Sequence, residues 1–150
     1  MADLRDLYQE LILEHSKSPR NYRALAAANH KAEGHNPLCG DHITVYLHVE
    51  GDAIRDITFQ GSGCAISRAS ASLMTQSLKG KSRAEAEQLF QQFHSLLTSQ
   101  PSANGAAATL GKLAVFSGVR EFPVRVKCAT LAWHTLQAAL EERQQPVSTE

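Results

Sequence analysis

The feature that most constrains the fold is a run of alternating apolar and polar residues that breaks at a turn and then resumes. The turn signal is Glu50-Gly51-Asp52, which is typical of a β-hairpin. Before it, apolar side chains occupy every second position, at Ile43, Val45, Leu47 and Val49. This period of two predicts a strand with one buried face. A second strand is predicted after the turn, and its apolar members are Ile54, Ile57 and Phe59.

Helices are predicted before and after this antiparallel hairpin in the sequence. Asp3 is a suitable N-cap for a first helix, which ends before Ser18-Pro19. Residues 65–78 lack Gly and Pro and favour a second helix. Ser82, with Glu85 three residues later, forms a capping box that begins a third.

The remaining segments are predicted as follows. The polar stretch from Ala28 to His35 is interpreted as a connection leading into a turn over residues 36–41, and Ser99 to Ala107 as a loop. A short helical segment is expected around Leu110 to Phe116. Pro123 then suits the first turn of a last helix, whose apolar stripe includes Cys128.

These elements predict an α+β fold in one domain over residues 1–150, with a small antiparallel sheet and helices packed on it. A chain of 150 residues is long enough to bury a core of its own. Neither an internal repeat nor a linker divides it. Residues 1–3 and 145–150 are expected to fray.

Composition excludes several classes of function. Fifteen basic and fifteen acidic residues cancel, so no net positive field attracts nucleic acid or a membrane surface. The sequence has no apolar run of about 18 residues, so no membrane span is expected. Acidic residues near the start argue against a secretory or mitochondrial leader. We therefore expect a cytosolic protein.

Three cysteines, an odd number, fit poorly with a secreted disulfide framework and are expected to be free thiols or metal ligands. Cys39 and Asp41 are two positions apart, so in extended backbone both side chains leave on the same face. Gly40 between them allows the backbone to turn. Taken alone, the pair fits equally well a plain turn in which the aspartate accepts hydrogen bonds from nearby amides.

Each of the other two cysteines also fits either a reactive or metal-binding role or a purely structural one. Cys64 precedes a predicted helix, where backbone amides favour a thiolate, but it could also be a small buried residue that closes a turn. The glycines at 61 and 63 would let another group approach closely. Cys128 taken alone fits a core position better than a ligand position. Arg125 and Lys127 beside it would promote ionisation of its thiol.

Three thiols and one carboxylate together suit tetrahedral zinc. The spacing is not that of paired CxxC motifs, so spacing alone is a weak signal. Around Zn²⁺ these four ligands would leave a formal charge of minus two (four negatives against two positives), which Arg125 and Lys127 could offset. His35 and His42 flank the Cys39 turn and could support the ligands through hydrogen bonds.

Three segments carry a more specific signal, and their order along the chain matters. The segments are Asn36-Pro37-Leu38-Cys39-Gly40-Asp41, Gly61-Ser62-Gly63-Cys64-Ala65-Ile66-Ser67 with Ala69-Ser70-Ala71-Ser72-Leu73-Met74-Thr75, and Arg125-Val126-Lys127-Cys128-Ala129-Thr130-Leu131-Ala132-Trp133. They resemble the signature segments of the IscU/NifU-like superfamily, and within it the SufU branch. The resemblance runs from the first helix to about Leu140.

The resemblance implies an IscU-like fold with zinc held by Cys39, Asp41, Cys64 and Cys128. It also implies a cysteine desulfurase of the SufS type as partner, with Cys39 accepting persulfide sulfur and passing it to a scaffold of the SufBCD type. In this picture a histidine of the desulfurase replaces Cys39 at the zinc ion and frees the thiol.

Three departures separate the chain from scaffold-type IscU proteins. Such proteins usually have a histidine where this chain has Lys127, and a Leu-Pro-Pro-Val-Lys chaperone motif where it has Phe122-Pro123-Val124-Arg125. The stretch between Cys64 and Cys128 is also long. These differences favour sulfur transfer over cluster assembly on the protein itself.

Three rival functions remain open from the sequence. An iron–sulfur scaffold would hold a cluster on the same ligands. A hydrolase with Cys64 as nucleophile would need a paired histidine, and no histidine has a sequence context that nominates it. A structural zinc adaptor would bind a desulfurase without changing its turnover.

Overall fold

A computed structural model of the chain describes residues 4–37, 39–98, 111–142 and 147–148. The predicted N-cap Asp3 and the predicted loop from Ser99 to Ala107 lie outside the described residues. The elements in chain order are α1 (Leu4–Lys17), β1 (His30–Asn36), β2 (Asp41–Glu50), β3 (Ala53–Ser62), α2 (Ala65–Leu78), α3 (Arg83–Thr98), a 3₁₀ helix (Gly111–Glu121), α4 (Pro123–Leu140) and β4 (Val147–Ser148).

The strands form one sheet in the order β3-β2-β1-β4. The predicted hairpin of β2 and β3 is confirmed as antiparallel, with a register irregularity between His48 and Val49. The apolar side chains of β2 at alternate positions are all buried, as the period of two requires. Helices pack on this face, so the α+β prediction is confirmed.

β1 was missed by the sequence interpretation, which treated residues 28–35 as a connection. It pairs antiparallel with β2 over its whole length. Its core-facing positions hold Ala32, Gly34 and Asn36 rather than large apolar residues. The reason is the close approach of α4: a Cβ at Gly34 would lie 2.0 Å from Thr135 Oγ1. Small residues fit this space, and for that reason β1 lacks the alternation of large apolar and polar residues that would predict a strand.

The end of the chain also differs from expectation. Residues 145–150 were expected to fray, whereas Val147–Ser148 pair parallel with β1 at Gly34 and His35. The sheet is therefore mixed rather than purely antiparallel. A two-residue strand gives too short a pattern for period analysis to detect.

The predicted helices agree closely with the structure. α2 has the predicted bounds, and the capping box is confirmed, since Glu85 N donates to Ser82 Oγ at 3.1 Å and Ser82 N donates to Glu85 Oε1 at 3.0 Å. Pro123 occupies the first turn of α4. The segment expected around Leu110 to Phe116 is a 3₁₀ helix from Gly111 onwards.

α4 lies at the centre of the molecule. It contacts β1, β2, α2, α3 and the 3₁₀ helix. Its Trp133 is fully buried, stacks on Phe93 and donates from Nε1 to Ser70 Oγ at 3.1 Å. The described helices include none long and apolar enough to cross a membrane. This packing brings the start of α4 to the same end of the sheet as the β1–β2 turn and the start of α2.

The close contact between β1 and α4 makes a testable prediction. Gly34→Ala places a methyl group against Thr135 Oγ1 and should destabilise the fold by about 1–3 kcal/mol, measured by thermal unfolding. Gly118→Ala is the matched control, because a Cβ there meets no atom within 4 Å. Adding Thr135→Ala should restore part of the loss. Equal melting temperatures for the Gly34 and Gly118 variants would contradict the close approach.

Candidate metal centre

Cys39 and Asp41 lie at the tight connection between β1 and β2. Cys39 belongs to a turn closed by its own N–H, which donates to Asn36 O at 3.2 Å. Gly40 has φ +70°, a left-handed conformation that glycine adopts without strain. Asp41 begins β2 and is 2% exposed, while Cys39 is half-buried. The backbone thus presents a buried carboxylate beside a thiol that solvent can reach.

Cys64 is the N-cap residue of α2, as its position before the predicted helix suggested. Its Sγ accepts from Ser67 N at 3.5 Å, and its own N–H donates to Asp41 Oδ1 at 2.9 Å. Gly63 has φ +154°, and a Cβ there would lie 2.4 Å from Asp41 Oδ1. The close approach that glycine was expected to permit is therefore that of the Asp41 carboxylate.

Cys128 completes the cluster from α4. It is fully buried, and its Sγ lies 3.0 Å from Cys39 Sγ. One ligand atom each from Cys39, Asp41 and Cys128 lies within 4.8 Å of the others. Cys64 is not part of this compact set, but its sulfur is a hydrogen-bond neighbour of Cys128. The fold therefore brings three of the four predicted ligands together and places the fourth at their border.

The pKa values of Cys64 and Cys128 shift in opposite directions. The hydrogen bond from the Cys128 thiol, aided by the Ser67 amide and opposed by burial, lowers the pKa of Cys64 to about 6. The same hydrogen bond, with burial and the neighbouring Cys39 and Asp41, raises the pKa of Cys128 far above its usual range. The sequence-based expectation that Cys128 ionises easily is therefore wrong for the metal-free site. Cys128 keeps its thiol proton because a further negative charge beside Cys64, Cys39 and Asp41 is unfavourable.

The basic residues beside Cys128 lie on the first turns of α4. Arg125 is exposed and Lys127 is half-buried. Cations would lower the pKa of a thiol, but the contacts of Cys128 with Cys64, Cys39 and Asp41, together with its burial, raise the pKa of Cys128. Their part in offsetting the charge of a metal site stays a prediction.

His35 and His42 do not lie beside the ligands. They form a cross-strand pair whose rings stack at 4.4 Å between centroids. Because side chains alternate along a strand, this pair lies on the sheet face opposite Asn36 and Asp41, which are buried on the core side. The possible support of the ligands by hydrogen bonds from these histidines is not seen among the described residues.

Asn36 is the site residue that sequence analysis missed. Its side chain is fully buried, and Nδ2 donates to Asp41 Oδ2 at 3.2 Å and to Cys128 Sγ at 3.4 Å. The signal was its position directly before Pro37 in the Cys39 segment, and recognition of β1 would have placed it on the core face.

The residues present fit a zinc ion. Two thiols and a carboxylate lie within reach of one another, a third thiol borders them, and this donor set is typical of tetrahedral zinc. The proton retained by Cys128 fits as well, since a divalent cation compensates the negative charge that holds this proton in place.

The amino-acid sequence is similar to one family profile and to proteins named for sulfur transfer and iron–sulfur cluster assembly. The family profile described as NifU-like N-terminal domain matches residues 7–129. The zinc-dependent sulfurtransferase SufU of Bacillus subtilis is 36% identical over 143 residues, covering 95% of each chain. The iron–sulfur cluster assembly scaffold protein IscU of Streptococcus pyogenes is 38% identical over 141 residues, covering 94% of this chain and 87% of that protein.

The fold is also similar to that of a solved structure. A candidate iron–sulfur cluster assembly scaffold protein for the SUF system, from Fervidobacterium islandicum, superposes with a TM-score of 0.81 at 34% identity. The match covers 92% of this chain and 99% of that one.

The depressed pKa of Cys64 predicts a pH dependence in the metal-free protein. Cys64 should be a thiolate above pH 6 and a thiol below it, so its alkylation by iodoacetamide should rise through about pH 6, while buried Cys128 stays unmodified. Peptide mapping by mass spectrometry measures both. Cys128→Ala removes the donor and should move the Cys64 midpoint upward, whereas Cys128→Ser keeps a donor and should preserve it. A Cys64 midpoint near that of an ordinary thiol with Cys128 intact would refute this arrangement.

Proposed function

The chain belongs to the NifU-like N-terminal domain family, and from this premise we propose that it is a zinc-dependent sulfur acceptor. It takes persulfide sulfur from a cysteine desulfurase of the SufS type for iron–sulfur cluster assembly. The observation that carries the proposal is the convergence of a half-buried thiol, Cys39, with Asp41 and Cys128. The SufU relative named as a zinc-dependent sulfurtransferase supports this activity.

In this proposal zinc is held by Cys39, Asp41, Cys64 and Cys128. The ion supplies positive charge that keeps several thiols ionised together, without redox chemistry of its own. Arg125 and Lys127 stand near the start of a helix, where the macrodipole disfavours cations. A role in offsetting the negative charge of the site gives a reason for their presence there.

The sulfur step uses the Cys39 thiolate as nucleophile. It attacks the terminal sulfur of the persulfide on the desulfurase, a transfer related to thiol–disulfide exchange. The new sulfur–sulfur bond forms on Cys39, the bond within the donor persulfide breaks, and its electron pair leaves with the desulfurase cysteine. Atoms and electrons balance without an added oxidant. A scaffold of the SufBCD type then receives the sulfur.

Exposure and backbone position together favour Cys39 for this step. Cys128 is fully buried and cannot meet a partner's active site. Cys64 is half-buried, but it caps α2 and its sulfur accepts a backbone amide. Cys39 lies in a short turn beside Gly40, outside the paired part of the sheet. It can therefore move with the least disturbance of the fold.

The proposal includes a cytosolic location, because the thiol chemistry that it requires depends on cysteines that stay reduced. The second candidate function is an iron–sulfur scaffold with a cluster on the same ligands. The IscU scaffold relative at 38% identity favours it. Lys127, in place of the histidine usual in scaffold-type proteins, favours sulfur transfer.

A desulfurase assay tests the proposal. We expect addition of the protein to increase cysteine turnover by a SufS-type desulfurase, and Cys39→Ser to return turnover to the basal rate because the accepting sulfur is gone. Asp41→Ala should lower or shift the stimulation, since it removes the harder ligand. The matched control is His35→Ala, which changes an exposed side chain on the opposite sheet face and should stimulate as the wild type does. Stimulation that survives loss of Cys39 would rule out the acceptor role.

Metal analysis separates the two candidate functions. Purified protein should be colourless and contain about one zinc per chain. Cys64→Ser and Cys128→Ser should each lower the zinc content, measured by elemental analysis. Protein that is brown and absorbs visible light through iron and sulfide on these residues would favour the scaffold role instead. Full zinc content in the Cys64→Ser variant would remove Cys64 from the ligand set.

A further inference from the structure

Asn36 stands between two of the proposed ligands. It ends β1, pairs with Asp41 across the β1–β2 turn and is fully buried. Its single amide group donates one hydrogen bond to Asp41 Oδ2 at 3.2 Å and one to Cys128 Sγ at 3.4 Å. One side chain therefore joins residues that lie 5 and 92 positions away in the sequence.

The orientation of this amide follows from its neighbours. A carboxylate and a sulfur both accept hydrogen bonds, so only the NH₂ end of Asn36 can face them favourably. Its Oδ1 is buried and lacks a hydrogen-bond partner among the described residues. An unsatisfied buried acceptor costs free energy, and the two hydrogen bonds made by the donor end of the same amide oppose that cost.

The three sulfurs of the site receive different hydrogen bonds. Cys128 Sγ accepts from the Asn36 amide, and Cys64 Sγ accepts from the backbone amide of Ser67. Within the described part of the chain, Cys39 Sγ has one neighbour at hydrogen-bond distance, the Cys128 sulfur at 3.0 Å. Metal ligation removes thiol protons, and Cys39 then keeps none of the hydrogen bonds described here.

We propose that Asn36 is a positioning residue that fixes Cys128 and Asp41 as permanent metal ligands and leaves Cys39 as the releasable sulfur. This inference rests on the proposed function and assigns a cause to the choice of Cys39. An amide hydrogen bond to a thiolate stabilises its lone pairs and lowers its nucleophilicity, as a lower pKa does. Cys39 accepts no amide hydrogen bond from the described residues, and it is then the most nucleophilic of the three sulfurs.

The same bonds hold the remaining ligands in place when Cys39 leaves. Asp41 Oδ1 accepts from Cys64 N and Oδ2 accepts from Asn36, so the carboxylate cannot rotate without breaking a hydrogen bond. Residues that orient metal ligands in this way commonly change metal affinity about 10–100-fold when they are replaced.

The test compares Asn36→Leu and Asn36→Ala with Asn29→Leu. Both Asn36 variants remove the donor, one with similar volume and one without. Asn29 precedes β1 at the opposite end. Among the described residues its side chain bonds only the backbone of Val49, with Nδ2 at 2.7 Å from O and Oδ1 at 2.8 Å from N. Asn29→Leu therefore removes a comparable pair of hydrogen bonds far from the cysteines.

Three measurements on full-length protein report the effect. Zinc affinity, by chelator competition, should fall about 10–100-fold in both Asn36 variants. In cobalt-loaded protein the sulfur-to-metal charge-transfer band should move to lower energy, because the Cys128 sulfur loses its hydrogen bond. After iodoacetamide blocks Cys39, wild type should retain zinc and the Asn36 variants should release it. Asn29→Leu should match wild type in all three.

A measurement on wild type covers the case in which the Asn36 variants do not fold. With spin-active cadmium at the site, the Asn36 side-chain protons should show scalar coupling to the metal through the Cys128 sulfur. Absence of this coupling, or Asn36 variants that match wild type in affinity and spectrum, would overturn the inference.

Failure of the inference and failure of the proposed function remain distinguishable. If the metal measurements behave as expected while the desulfurase is not stimulated, the sulfur-acceptor role fails and the role of Asn36 in holding the ligands stands. If stimulation depends on Cys39 but the Asn36 variants hold metal as wild type does, the inference fails alone.

Discussion

The buried carboxylate of Asp41 is the interaction on which the arrangement of the site depends. One oxygen accepts from the backbone of Cys64 at the start of α2, and the other accepts from Asn36 at the end of β1, which also bonds Cys128 on α4. Gly63 has no side chain, and this lets the carboxylate lie against the backbone. A single acidic group thus sets the relative position of two strand ends and two helix starts.

Local signals explain which parts of the fold could be predicted from sequence. The β2–β3 hairpin follows from alternation and a turn, and α2 from a run without Gly or Pro that ends at Leu78. β1 could not be found in this way, because its inward residues are small or polar. Their identity depends on how closely Thr135 of α4 approaches Gly34, which is a contact between segments about a hundred positions apart.

The candidate site, like the fold, contains features that the sequence predicted and features that it did not. The similarity of three segments to a family nominated Cys39, Asp41, Cys64 and Cys128, and the fold brings the first, second and last together. Spacing could not have shown this. The pKa of Cys128 was misjudged, because neighbours in sequence were basic whereas neighbours in space are thiols and a carboxylate. Asn36 was missed since it carries no charge and no sulfur.

The location of Cys128 on α4 has a mechanical consequence. The other proposed ligands come from the first half of the chain, so an ion held by all four would crosslink the carboxy-terminal helix to the amino-terminal sheet. By thermodynamic linkage, the free energy of ion binding then adds to the free energy that keeps α4 docked. A protein that binds and pulls on α4 would lower the affinity for the ion, and an ion-free chain would expose this helix to proteases sooner than a loaded one.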